Sequence, residues 1–334
     1  MKTNKTKLIA IFAFLVLMLT SCSDDDNPQP TVDNTITGIA SKASDLTLLV
    51  KALKKADLAA TLQGAGPFTV FAPTDQAFIN AGLTATVIDN YPTADIPALR
   101  QILLNHVVNG SVQSTGLTNN SYIKTLAKGT ASTTNTLSMY VNTTSGVRLN
   151  GMSSVITTTA GSTFNIIATN GVIHKVDAVI TLPTIITHAA ANPAFSTLVT
   201  VVTSTATNGN GFGDQTAVAA ALSNTTTKTV FAPTNAAFTA ATTGSGFAVG
   251  ATPAQVSKVL QYHVTTAGNV LAGSLTNGQV VPTITSPVQN LTIDLTAGAK
   301  ISDTTPVKAN IIVTDVQCSN GVIHAVDKVL QPTL

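Results

Sequence analysis

Five histidines, two cysteines and fifteen acids, every one of them Asp, are the groups from which a metal site, a thiol nucleophile or a carboxylate pair would be built in this chain of 334 residues. Repetition places four of the histidines. NGVIHKVDAVI at 170–180 returns as NGVIHAVDKVL at 320–330, which puts His174 and His324 in one slot, with Asp177 and Asp327 three residues on. ILLNHVV at 102–108 returns as VLQYHVT at 259–265, carrying Asn105-His106 and Tyr262-His263. Metal ligation needs several such groups converging at short spacing, and no HxH, HxxxH or CxxC occurs. The GxSxG elbow and the GxxxxGK[ST] phosphate loop are absent too. On a strand, residues three apart face opposite sides, so His174 and Asp177 do not form a ligand pair. His174 shares its face with Val172, Val176, Ala178 and Ile180 and is expected inside. A meeting of His106 with His174 across the fold stays open. The reading is of a chain with no catalytic residue, no metal and no cofactor.

A third block, TVFAPTDQAF at 69–78, returns as TVFAPTNAAF at 229–238. The three blocks recur in one order with offsets of 160, 157 and 150 residues, so a whole domain is duplicated and its loops differ in length. The boundaries are placed at 34–182 and 183–334. The join, ITLPTIITHAA, contains Pro183 and no Gly- or Ser-rich stretch, so the domains are expected to keep a preferred orientation.

Each unit opens with helical spacing, as at Leu46, Leu49, Val50, Leu53 and the Ala56/Leu58 region. A short strand follows at Thr69–Ala72, stopped by Pro73. Thr74 is placed as the cap of the next helix, and Asp75 at that helix's positive end; Thr234 and Asn235 repeat the arrangement. Leu99, Ile102, Leu103 and Val107 mark a helix delivering His106 near its end. The Thr/Val/Ile/Asn runs beyond, punctuated by Gly, predict consecutive antiparallel strands, with a tight turn at Asn170-Gly171 closing the meander. The Gly-rich GNGFGD at 209–214 reads as a flexible insertion.

Three lysines and the apolar run Leu8–Leu19 head the chain. The run is too short for a permanent span and has the layout of a secretory signal. Leu19-Thr20-Ser21-Cys22 resembles the lipobox of bacterial lipoproteins, which implies a cleaved signal peptide at 1–21 and acylation of Cys22. An acidic, Pro-containing tether at 22–33 follows. Its SDDD resembles the tag that sends some lipoproteins of Gram-negative bacteria to the outer face of the outer membrane, and equally suits a solvated spacer. Without the leader's lysines, fourteen basic residues face fifteen acids. That near-neutral balance argues against a nucleic-acid partner. Cys318 is then the sole thiol, aligned with Ala168, and is read as buried and inert.

Together the TVFAPTDQAF, NH/YH and NGVIHKVDAVI blocks closely resemble those of the fasciclin domain, an extracellular module often found in tandem. The resemblance implies an α+β fold: two domains, each a β-meander wedge packed with several helices. It also implies adhesion or protein interaction at the cell surface, with a protein or glycan partner. In animal relatives the Tyr-His block is linked to receptor binding, which would transfer to Tyr262 and His263, and to Asn105 and His106 without the tyrosine. Packing is the competing role for all four. The alternative function is binding of a glycan or small hydrophobic ligand without catalysis.

Overall fold

The repeated apolar strands do not lie at a sheet edge, as the last rungs of a meander would; each is flanked by a strand on either side. The computed structural model describes residues 32–157, 163–205, 212–243 and 251–334. The leader, Cys22, most of the tether and the 209–211 part of the Gly-rich loop lie outside the described residues.

In the first domain α1 (Ile36–Lys42), α2 (Thr47–Lys55) and α3 (Ala59–Gln63) precede β1 (Phe68–Pro73), followed by α4 (Asp75–Asn80), α5 (Ala85–Asp89) and α6 (Ile96–Leu104). Strands β2 (Val107–Asn109), β3 (Ser121–Gly129), β4 (Ser132–Asn142), β5 (Arg148–Leu149), β6 (Ser153–Ser154), β7 (Ile166–Ala168) and β8 (Gly171–Val176) complete it. The sheet order is β6-β5-β4-β3-β2-β1-β8-β7. Neighbours are antiparallel except β1 and β8, which pair in parallel, Phe68 with Gly171 through Pro73 with Val176. The antiparallel expectation therefore holds for the meander and fails at its closure.

Because β8 is flanked by two strands and covered on both faces, all its residues except Lys175 are buried. Its faces serve two cores. Ile173, with Val70 and Ala72 of β1, packs against Leu49, Leu53 and Leu103 of the helices. Val176, with Phe71, packs against Met139, Val141 and Leu149 of the curled meander. The predicted side-chain alternation is thus correct, while both faces are dry.

The first helical stripe splits in two at Asp57. That residue has φ 53°, Leu58 N donates to Leu53 O and Asp57 N to Lys54 O, an αL stop with the buried Leu53 and Leu58 on either side of it.

The second domain repeats the plan. Helices α7 (Ile185–Ala191), α8 (Ser196–Val202) and α9 (Thr216–Ser223) lead to β9 (Lys228–Pro233), α10 (Asn235–Thr243) and α11 (Pro253–Tyr262). Strands β10 (Val264–Thr265), β11 (Val280–Pro282), β12 (Asn290–Asp294), β13 (Lys300–Ser302), β14 (Ala309–Cys318) and β15 (Gly321–Val326) follow, ordered β10-β9-β15-β14-β13-β12-β11. Again the first and last strands, β9 and β15, are parallel.

Residues 34–334 form one unit. The β3–β4 hairpin of the first domain abuts the end of β14: Ala131 N and Thr130 Oγ1 donate to Ser319 O, and Gln317 N to Ser138 Oγ. Gly129 lies so close that a Cβ there would sit 2.4 Å from Ser319 Cα. Among the described residues no single helix is long and apolar enough to cross a membrane.

Candidate functional site

All four repeated histidines are buried and saturated. His106 follows the last turn of α6, where its Nδ1 donates to Ile102 O at 2.8 Å and its Nε2 accepts from Ile180 N at 2.8 Å. His263 does the same after α11, to Val259 O and from Leu330 N, both at 2.8 Å. A carbonyl only accepts, so Nδ1 carries the proton in both rings. The imidazole pins the helix end to the segment that leaves the closing strand. Burial, outweighing the bond to the helix carbonyl, pushes both rings down to about 4.

His174 and His324 take the opposite tautomer. Nε2 of His174 donates to Val112 O at 2.9 Å and Nδ1 accepts from Asn165 N at 3.3 Å. Nε2 of His324 donates to Val270 O at 2.9 Å and Nδ1 accepts from Asp315 N at 3.4 Å. The donors Asn165 and Asp315 sit at φ 51° and 59°, which turns their amides toward the rings. Each ring stacks on its β-partner phenylalanine: Phe71–His174 at 5.5 Å and Phe231–His324 at 5.7 Å between centroids. The pins have different partners, and the structure does not bring His106 and His174 together as a ligand pair. Among the described residues no group of three or more His, Cys, Asp or Glu is arranged to hold a metal ion.

The residue before each α-helical pin differs in chemistry and is buried in both domains. Asn105 Nδ2 donates to Thr181 O at 3.0 Å and to Ile180 O at 3.3 Å, while Thr125 Oγ1 donates to its Oδ1. Tyr262 reaches the other way, its hydroxyl donating to Asn290 O of β12 at 2.8 Å, and burial pushes that phenol up to about 12. Tyr262, His263, Asn105 and His106 are each no more than 3% exposed.

Thr74 caps α4 as its spacing suggests, accepting from Ala77 N, and Thr234 accepts from Ala237 N. Asp75 stands in the first turn of α4 as expected, and its carboxylate has a second role. Its Oδ1 accepts from Leu48 N and its Oδ2 from Thr47 Oγ1, so it caps α2 across 27 residues of chain. Asn235 caps α8 equivalently: it accepts from Thr197 N and donates to Ser196 Oγ. The Thr-Asp and Thr-Asn pairs therefore join two helix starts. Asp177 accepts from Ser154 N at 2.6 Å, and Asp327 from Asn310 N at 2.7 Å, clamping the strand across from each at the surface.

The asparagine of the NG phrase does the most work; the expected tight turn is there, between β7 and β8, but a positive φ at Asn170 is not its cause. The turn residues are Thr169 and Asn170, and Asn170 lies outside the positive-φ region. Its buried side chain accepts from Ile36 N at 2.9 Å and donates to Leu62 O and Gly64 O, both at 2.8 Å; its carbonyl accepts from Phe68 N. Asn320 repeats every bond, from Ile185 N, to Leu222 O and Asn224 O, and from Lys228 N. One residue thus fixes α1 and the end of α3 through its side chain and the start of β1 through its carbonyl. Gly171 is required by proximity, since a Cβ there would lie 1.9 Å from Phe68 O. Exact repetition of Asn170 as Asn320 was the available signal.

Cys318 is fully buried, and burial raises its thiol. The fifth histidine, His188 on α7, belongs to no repeated block. It is fully buried, and neither ring nitrogen reaches a partner in hydrogen-bonding geometry. Burial pushes it down to about 3, with the Lys124 ammonium adding to the effect and the nearby backbone of Ser138 and Gln317 opposing it without closing a bond. The apolar cavity between the helices and sheet of the second domain measures about 30 Å³, on the order of one water molecule.

Residues 44–183 and 193–332 each match the family model of the fasciclin domain, and the chain belongs to that family as a tandem of two domains. The uncharacterized protein sll1735 of Synechocystis sp. (strain ATCC 27184 / PCC 6803 / Kazusa) is 33% identical over 147 residues, 43% of this chain and 96% of that protein. Protein sll1483 of the same organism is 34% identical over 154 residues, 45% and 74% of the respective chains. A solved FAS1 domain pair from the insect cell adhesion molecule fasciclin I matches with a TM-score of 0.45 and 18% identity, covering 85% of this chain and 92% of that one.

Proposed function

We propose that this protein is a non-catalytic adhesion or protein-interaction module, held by a lipid on Cys22 at the exposed face of an outer membrane. The observation that carries the reading is the fate of the recurring polar groups. His106, His174, His263, His324, Asn170 and Asn320 are all buried and committed to bonds within their own domains. Selection for two closed frameworks with variable exteriors accounts for that pattern, and family membership supports a binding role. The leader, Cys22 and the acidic tether support delivery to and retention at a surface.

The apolar cavity of the second domain does not favour a small hydrophobic ligand, being far below the volume of ligand pockets. Deletion of the gene, complemented with the wild type or with Cys22→Ser, tests the proposal. Deletion should reduce attachment of cells to one another or to a matrix, wild type should restore it, and Cys22→Ser should leave the protein unanchored and fail to restore it. Unchanged attachment after deletion, with purified protein binding only a small molecule, would overturn it.

A further inference from the structure

The duplication supplies an internal control: wherever the two domains share a hydrogen bond, they share what the fold needs, and where they diverge on a matched surface the fold does not dictate the residue. Asp75 bonding Thr47 and Leu48, and Asn235 bonding Ser196 and Thr197, set the match between α2 and α8. In that register Lys51, Lys54 and Lys55 correspond to Thr200, Thr203 and Ser204. The His106/His263 match aligns Arg100 of α6 with Ser257. Four neighbouring cations of one domain are four hydroxyls in the other.

These cations lie together. Lys51 Nζ donates to Asp89 Oδ2 at 2.5 Å and Lys55 Nζ to Asp89 O at 2.8 Å, so both lean over α5. Arg100 donates to Ala56 O and Asp57 O at the end of α2, directly beyond Lys54 and Lys55. Between α2 and α5 the three lysines border an open groove of about 450 Å³ that Val50 and Ile88 also line, and Arg100 stands outside that lining, at the end of α2. The acids at this surface are Asp89, paired with Lys51, Asp57, and Asp75, whose Oδ2 accepts from Thr47 at the start of α2; against four cations these three leave a small net positive charge, with the lysines gathered toward the end of α2. The domains differ as wholes in the same sense: nine Lys and Arg against six Asp in residues 34–182, five against five in 183–334.

Lysines in a last turn also complement the helix dipole. That does not account for these, because α8 ends with no basic residue and Lys51 lies before the last turn of α2.

We propose that the α2–α5 groove of the first domain binds an acidic polysaccharide, whose regularly spaced carboxylates or sulfates run along the Lys51, Lys54, Lys55 and Arg100 stripe. The proposal rests on the surface-adhesion reading and names its partner class. A linear polyanion fits an open, shallow, cationic groove, and the groove has no aromatic anchor of the kind that fixes a peptide. Single contacts of this sort are weak and salt-screened, and many copies on one cell acting on one polymer would multiply them.

The test measures binding of the purified full chain to alginate (carboxylate), dextran sulfate, neutral dextran and poly-glutamate at low and moderate salt. Two triple variants accompany it: Lys51→Thr/Lys54→Thr/Lys55→Ser, which installs the residues the second domain already folds with, and Lys128→Thr/Lys258→Thr/Lys300→Thr, which removes as much charge elsewhere. The expected result is salt-sensitive binding to alginate or dextran sulfate, reduced about tenfold or more by the first triple and less than about threefold by the second. The two acidic polymers separate carboxylate from sulfate recognition. Equal losses in both triples, binding to neutral dextran, or tighter binding to poly-glutamate would each overturn the groove assignment. Loss of cell attachment on gene deletion with no polysaccharide binding would reject this inference and leave the adhesion reading intact.

Discussion

Tyr122 of the first domain meets His188 of the second edge to face, with ring centroids 5.5 Å apart and planes at 75°. The tyrosine hydroxyl accepts from Asn192 Nδ2 at 3.1 Å, while its ring also lies 5.2 Å from Tyr140. The junction thus buries an imidazole that no protein group bonds. In the first domain the corresponding residue of α1 is Ile39.

His188→Ile should accordingly leave stability at neutral pH unchanged or raise it by about 1 kcal/mol, because an unsatisfied buried group is removed. Urea denaturation of variant and wild type checks this. A loss greater than about 2 kcal/mol would show that the ring has a partner.

Acid should weaken the fold before the carboxylates titrate. His106 and His263 are held near 4 and His188 near 3, against an ordinary 6.5, so the unfolded chain takes up protons first. Stability is then complete above pH 6.5 and declines as pH falls toward 4. Each ring held near 4 contributes up to about 3 kcal/mol to that loss. Denaturation midpoints at pH 7.5, 6 and 4.5 should fall in that order, and a flat profile from 7 to 5 would contradict the buried neutral assignments.

Asn170→Ala removes three buried side-chain bonds at once and should cost its domain about 3 kcal/mol; Asn320→Ala should do the same to the other. Asn170→Asp keeps the acceptor for Ile36 N and loses both donors, so it should be no milder. Calorimetry on the three variants measures the effect, and a cost under about 1 kcal/mol would remove the asparagine from its central place.

Tyr262→Phe deletes one bond to Asn290 O and should lower stability by about 1 kcal/mol while leaving cell attachment at the wild-type level. A folded variant with impaired attachment would instead make the Tyr-His block a contact site.

Much of the architecture was legible because duplication marks it. Thr74 and Thr234 are helix caps at the predicted positions, and the alternation on 172–176 matches the two cores. The parallel closure was not legible, since pairing direction leaves no mark on an apolar strand that is buried on both faces. Asp75 satisfies the local rule for the start of α4 while bonding α2, so its position on α4 was legible and its partners 27 residues away were not. Asn170 does stand in the tight turn between β7 and β8, as Asn-Gly signals, and only the fold reveals that its side chain joins α1 to the end of α3 while its carbonyl holds β1. His188 carried no signal, because it lies outside every repeat and becomes notable only where the two domains meet.

The pairing of β1 with β8 places the beginning and the end of each domain side by side, so neither core can form around an incomplete chain. A ribosome that has released residues 34–165 has made the helices and most of the meander, yet Asn170, His174 and the strand that separates the two cores have still to emerge. Closure of the first domain must await roughly its last dozen residues, and can then proceed while the second is still being synthesised.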